Sequence, residues 1–151
     1  MTPEVQIVTP QDVRFFMMDR TASENFLLDS VEFSDEEIHS GMQLTVDKYN
    51  STLPMVDVYT VENFPYRYEM LLGTAASLLR SKAMNYTRNR LDFSTKDGTT
   101  IQDKQKTGEY LSIANVMMQE FDQRITQIKK TKNAEQAFGF ISGPYSYLRP
   151  F

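Results

Sequence analysis

The stretch Met70-Leu71-Leu72-Gly73-Thr74-Ala75-Ala76-Ser77-Leu78-Leu79 carries no charge and, wound at 3.6 residues per turn, has almost no polar side. A helix that is apolar all round must be covered by other elements, so this segment dictates a bundle with itself at the centre. It follows Phe64-Pro65 and is expected to run through Ala83 and Met84 to about Leu91, where the side chains turn polar. Gly73, Ala75 and Ala76 leave room for a second helix to come close.

The rest of the chain supplies the cover. Tyr110, Ile113, Ala114, Met117, Phe121, Ile125 and Ile128 recur at helical spacing and predict the longest element, residues 103–134, packed antiparallel on the apolar helix. Ser34-Asp35-Glu36-Glu37 is a capping box that starts a helix running to about Asn50, with Ile38, Met42, Val46 and Tyr49 on one face; it stops before Ser51-Thr52-Leu53-Pro54. Thr9-Pro10 opens a short helix that ends near Asp19 and puts Val13, Phe16 and Met17 on one side. Residues 20–33 read as an ordered loop pinned by Phe26, Leu27, Leu28 and Phe33. Val56, Val58 and Thr60 alternate with Asp57, Tyr59 and Val61, which predicts an extended segment between Pro54 and Pro65. Lys96-Asp97-Gly98 is a turn signal inside residues 93–102 and predicts a small hairpin projecting from the helices. The fold class is therefore mainly α: a helical bundle with a long helix in its C-terminal half, a small projecting β-hairpin and an extended C-terminal tail. Residues 1–137 form the domain, and residues 138–151, rich in Phe, Tyr, Gly and Pro, form the tail.

Chemistry is thin. With 151 residues, no Cys and His39 as the one histidine, the chain lacks the usual triads, thiolate sites and multi-histidine metal centres. Asp35, Glu36 and Glu37 sit where a helix N-terminus favours negative charge, which is enough to account for them. Gly41, Gly73, Gly98, Gly108, Gly139 and Gly143 are too scattered for a phosphate-cradling loop. The expectation is that the chain is not an enzyme and carries no cofactor and no metal. The nine Met, paired at Met17-Met18 and Met117-Met118, read as core filler. No apolar run approaches the ~20 residues that span a bilayer, and the N-terminus has no leader pattern, so a soluble, unprocessed chain without a membrane partner is expected.

The net charge of −4 hides an asymmetry. Residues 1–75 hold four Lys and Arg against thirteen Asp and Glu, a net of −9, whereas residues 76–151 hold twelve against seven, a net of +5. Either the halves neutralise each other within one molecule, or an acidic face of one copy meets a basic face of the next. Arg80, Lys82, Arg88 and Arg90 near Tyr86, together with Lys129, Lys130 and Lys132, could contact phosphates in a nucleic-acid-binding regulator. Solvated helix ends are the favoured reading of these basic groups, because the whole chain is acidic and no recognition motif accompanies them.

The order of several short motifs also resembles a family. Asp19-Arg20, Asn25-Phe26-Leu27-Leu28, Phe33 to Ile38, Tyr49-Asn50 before Leu53-Pro54, Phe64-Pro65, Leu71-Leu72-Gly73, Arg88-Asn89, Asp97-Gly98, Asp103-Lys104, Tyr110, Lys132-Asn133 and Ser142 to Tyr145 together look like the head-to-tail adaptor, or neck connector, proteins of tailed bacteriophages. The resemblance implies a structural virion protein, made in the host cytoplasm, that forms a ring of about twelve copies in the neck. Its implied partners are further copies of itself, the portal protein, the next neck or tail protein, and DNA that passes through the lumen without sequence-specific binding. Other virion ring, baseplate or tail-completion proteins are the alternative. The residues expected at interfaces are Lys96, Asp97 and Gly98 in the hairpin and Phe138, Phe140, Tyr145, Tyr147 and Phe151 in the tail.

Overall fold

The apolar segment lies in helix α3, Arg67–Arg88, in which every residue from Glu69 to Ala76 is buried. The computed structural model describes residues 7–20, 30–88, 93–94, 100–101 and 103–138, and the side chains of residues 93–106 and Phe138 are not among those described. Around α3 stand α1, Pro10–Met17, α2, Asp35–Ser51, and α4, Asp103–Phe138. At ~1.5 Å per residue the 36 residues of α4 span about 54 Å, so it is much the longest element.

Helix starts follow the expected capping. Thr9 caps α1 and Ser34 caps α2, each in a reciprocal box with the acid three residues on: Asp12 Oδ2 accepts from the Thr9 amide at 2.8 Å, and Glu37 Oε2 from the Ser34 amide at 2.8 Å. Met18 ends α1 in the left-handed region at φ 58°. Arg14 then ties α1 to the next segment. Its guanidinium donates to Asp19 at 3.1 Å, to the Phe33 carbonyl at 2.5 Å and to Asp35 at 2.5 Å, while Asp19 accepts the amides of Glu32 and Phe33. This clip is what positions buried Phe33, one of the four residues expected to pin the loop; Phe26, Leu27 and Leu28 lie outside the described residues.

α2 and α4 cover α3 from different sides and meet it closely at Gly73. A Cβ built on Gly73 would stand 2.5 Å from Thr45 Cγ2 of α2 and 3.0 Å from Phe121 Cε2 of α4, so the absence of a side chain sets both approaches. The Thr45 hydroxyl donates to the Gly41 carbonyl of its own helix at 2.8 Å and lies 3.4 Å from the Thr74 hydroxyl of α3, so both its methyl and its hydroxyl pack on α3 beside Gly73. The α3–α4 pair is antiparallel: Tyr68 and Glu69 meet Glu120 and Arg124, and Tyr86 stacks on Tyr110.

Details of several expectations differ or are refined. Ile113 is not in the core stripe; it is 49% exposed, whereas Ala114, Phe121 and Ile125 are buried. The segment 56–60 is non-helical, consistent with an extended segment, and among the described residues it pairs with no strand; the Asn50 side chain supplies both partners of Tyr59, its Nδ2 donating to the Tyr59 carbonyl at 2.8 Å and its Oδ1 accepting the Tyr59 amide at 3.0 Å. A short 3₁₀ turn, Val61–Asn63, follows. The projecting hairpin is not seen among the described residues, which hold only a two-residue antiparallel contact of Phe93–Ser94 with Thr100–Ile101; its turn, Lys96-Asp97-Gly98, lies outside them. α4 runs four residues past the expected end, through the good helix formers Glu135, Gln136 and Ala137.

Candidate interaction site: a lysine box beneath an apolar loop

Phe121, Ile125 and Lys129 follow one another at steps of four on α4, and all three are fully buried. A lysine thus continues the core row. Its ammonium donates to the Thr52 carbonyl and lies 4.5 Å from the centroid of the Tyr49 ring. No carboxylate bonds it among the described residues, and burial draws its pKa below the ordinary lysine value, with Asp57 opposing in part. Lys132, one turn on, donates to Asp57 Oδ2 at 2.5 Å and to the Tyr59 hydroxyl at 2.6 Å, and stands over the rings of Tyr59 and Tyr66 at 5.2 and 5.5 Å. Burial disfavours its charge, but the hydrogen bonds to Asp57, Tyr59 and Tyr66 outweigh that and hold its pKa above the usual lysine range. The hydrogen bond from Lys132 in turn keeps the Asp57 carboxyl low.

Four rings form the walls. Tyr49 of α2 packs edge-on against Phe64 at 5.1 Å, and Tyr59 and Tyr66 complete the cluster with centroid separations of 5.6 to 6.3 Å. Stacked or edge-on rings present negative faces to the two ammonium groups, which is how cations can sit in an otherwise apolar place. The Tyr49 hydroxyl is buried with no hydrogen-bond partner among the described residues, and burial pushes the phenol's pKa up. With Lys129 closed on a carbonyl and Lys132 on a carboxylate, the box is a clamp that fastens α4 to the segment between α2 and α3; it presents no free nucleophile.

No family model, no curated protein and no solved structure matches the chain. The site therefore has to be read from its own geometry. Lys96, Asp97, Gly98, Phe140, Tyr145, Tyr147 and Phe151 lie outside the described residues, and Phe138 is the last residue of α4, its side chain also outside them. His39 is exposed on α2. Among the described residues no group of three His, Cys, Asp or Glu could hold a metal ion, and no helix is long and apolar enough to cross a membrane.

Of the seven basic residues singled out in the sequence, Lys82, Lys129 and Lys132 are engaged within the fold, Arg80, Arg88 and Lys130 are exposed, and Arg90 lies outside the described residues. Lys129 and Lys132 are in the box, leaving Lys130 exposed, and Lys82 lies 3.7 Å from Glu32 and over the rings of Phe33 and Tyr86. The reading of Lys129 and Lys132 as solvated helix ends is thereby corrected, and so is their use as phosphate contacts. Part of the sequence asymmetry is met inside the molecule: Glu32 with Lys82, Asp57 with Lys132 and Glu69 with Arg124 each join the acidic half to the basic half, while Lys48 with Asp122 crosses in the opposite sense. The box itself was missed from the sequence. Its available signal was the four-residue step from Ile125 to Lys129, masked by the habit of assigning lysine to solvent.

Among the described residues, one side of α4 is left uncovered. Asn115, Gln119, Gln123 and Gln127 lie along it with Val116 at one end, 64% exposed; its charged members are Asp122, paired with Lys48 at 2.7 Å, and Lys130. An amide-rich, nearly uncharged strip on a long rigid helix is cheaper to desolvate than a charged one and can hydrogen-bond across an interface.

Proposed function

We propose that the chain is a structural subunit of a tailed-phage neck, which assembles into a ring between portal and tail and lines the channel through which DNA passes. The observation that carries the reading is the uncovered strip of α4 between Asn115 and Thr131, about 25 Å long at ~1.5 Å per residue. A ring requires two different faces on each copy, and a long helix open on one side supplies one of them. The exposed Ile113 and Val116, three residues apart on α4, add apolar area at its N-terminal half. Charge pairing inside the chain weakens one earlier support, contact between acidic and basic faces of neighbouring copies, so the reading leans on helix packing instead. The turn Lys96-Asp97-Gly98 and the tail residues Phe138, Phe140, Tyr145, Tyr147 and Phe151 remain the proposed contacts to portal and tail proteins. Structural service without catalysis, cofactor or metal belongs to the same proposal.

The test is electron microscopy and mass measurement of the purified chain, alone and with phage particles assembled from a genome that encodes it. Closed rings, and antibody label at the head-to-tail junction, are expected. Val116→Asp combined with Gln123→Glu is expected to leave helicity unchanged and to abolish ring formation. A chain that stays monomeric at every concentration and is absent from particles overturns the proposal.

A further inference from the structure

We propose that residues 139–151 fold back over the outward side of the loop 53–58 of the same molecule, making that loop the docking surface of the tail. Leu53, Met55 and Val58 are 73%, 71% and 79% exposed, three large apolar side chains within six residues. Asp57, the one charged residue of the loop, is turned inward to Lys132, so the outward side is left apolar. Successive turns of α4 reach this segment: Lys129 bonds the Thr52 carbonyl, Lys132 bonds Asp57, and Gln136 Nε2 lies 3.5 Å from the Val56 carbonyl. The helix ends two residues after Gln136, so the tail begins beside the exposed loop.

The tail suits such a surface. Its thirteen residues can extend about 45 Å, far more than the loop requires. Phe140, Ile141, Tyr145, Tyr147, Leu148 and Phe151 supply apolar side chains, while Gly139, Gly143, Pro144 and Pro150 oppose a regular helix and favour an extended path. A tether this short holds the tail at an effective concentration of about millimolar, which favours the loop of its own molecule over that of a second copy in dilute solution. The inference concerns the free chain and does not need the ring; contacts of the same tail residues with portal or tail proteins require the tail to leave the loop.

Methionine oxidation by dilute peroxide reads the cover directly, since Met55 lies in the loop and Met84, 54% exposed on α3, is an internal reference. In the full chain, peptide mass spectrometry is expected to find Met55 oxidised several-fold more slowly than Met84, independent of protein concentration. In the full-length variant with Phe140→Ser, Tyr145→Ser, Tyr147→Ser and Phe151→Ser, the two rates are expected to become equal with helicity unchanged. Equal rates in the unsubstituted chain overturn the proposal, as does protection that survives the serine substitutions. Protection that disappears on dilution also overturns it, and identifies a second copy as the occupant.

Discussion

Gly73→Ala isolates the contact on which the bundle turns. Two effects oppose each other. Alanine is favoured over glycine in a helix interior by about 1 kcal/mol. Against this, the new methyl would stand 2.5 Å from Thr45 Cγ2 and 3.0 Å from both Thr45 Oγ1 and Phe121 Cε2, and Thr45 is held by its bond to the Gly41 carbonyl. Relief requires α2 or α4 to move; overpacking of this kind costs about 1–3 kcal/mol before the propensity gain is subtracted, and a contact as short as 2.5 Å belongs in the upper part of that range. The expected net loss is therefore about 1–2 kcal/mol, or roughly 2–8 °C in Tm for a domain of this size. Gly108→Ala is the control: nothing lies within 4 Å of its Cβ position, so propensity acts alone and about 0.5–1 kcal/mol of stabilisation is expected. Adding Thr45→Ser to Gly73→Ala removes the nearest methyl and is expected to recover part of the loss. Urea denaturation followed by circular dichroism measures all three. If Gly73→Ala were as stable as the parent, close helix approach at this glycine would be refuted.

Tyr49→Phe removes a buried hydroxyl that has no hydrogen-bond partner among the described residues, so its urea midpoint is expected to rise by about 1 kcal/mol equivalent; a clear loss would mean the hydroxyl is bonded. Asp57→Ala leaves Lys132 with the tyrosines Tyr59 and Tyr66 but no carboxylate and is expected to cost about 1 kcal/mol at low salt, limited because both ion-pair partners are 28% exposed; thermal melts in low and high salt check it. Asp12 and Asp57 both have lowered pKa values in the folded chain, Asp12 chiefly through its hydrogen bond from the Thr9 amide and Asp57 chiefly through that from Lys132. Their stabilisation is present above the unfolded carboxyl value of about 4 and is lost as pH falls through the folded values, so Tm is expected to drop on acidification below pH ~4 and to drop less in Asp57→Asn. Leu72→Asp would bury an unpaired carboxylate at the centre of α3, and a loss of about 4 kcal/mol or global unfolding is expected; an unchanged melting temperature would contradict its place in the core.

Much of the architecture was legible in local chemistry. The two capping boxes act over three residues, so Thr9-Pro10 and Ser34 to Glu37 marked helix starts that the fold keeps. The uncharged run 70–79 could be stable only when surrounded, and it lies at the centre. Less of the site was legible. Ile113 and Lys129 each fit the helical period of α4, but period defines a stripe and leaves open where the partner helix ends or what it offers. Ile113 is left partly uncovered, while Lys129 faces the Tyr49 ring and bonds the Thr52 carbonyl.

The sequence alone therefore determined the helix starts, the central place of α3 and its pairing with α4, because these depend on neighbours one to four residues apart and on the cost of exposing an uncharged helix. Only the tertiary structure decided which charges are spent inside the molecule. Asp57 and Lys132 are 75 residues apart and Thr52 and Lys129 are 77, and a chain's sequence carries no local mark of a partner at that distance. The meeting depends on how α4 packs along α3, and Phe121 over Gly73 is one point of that close approach.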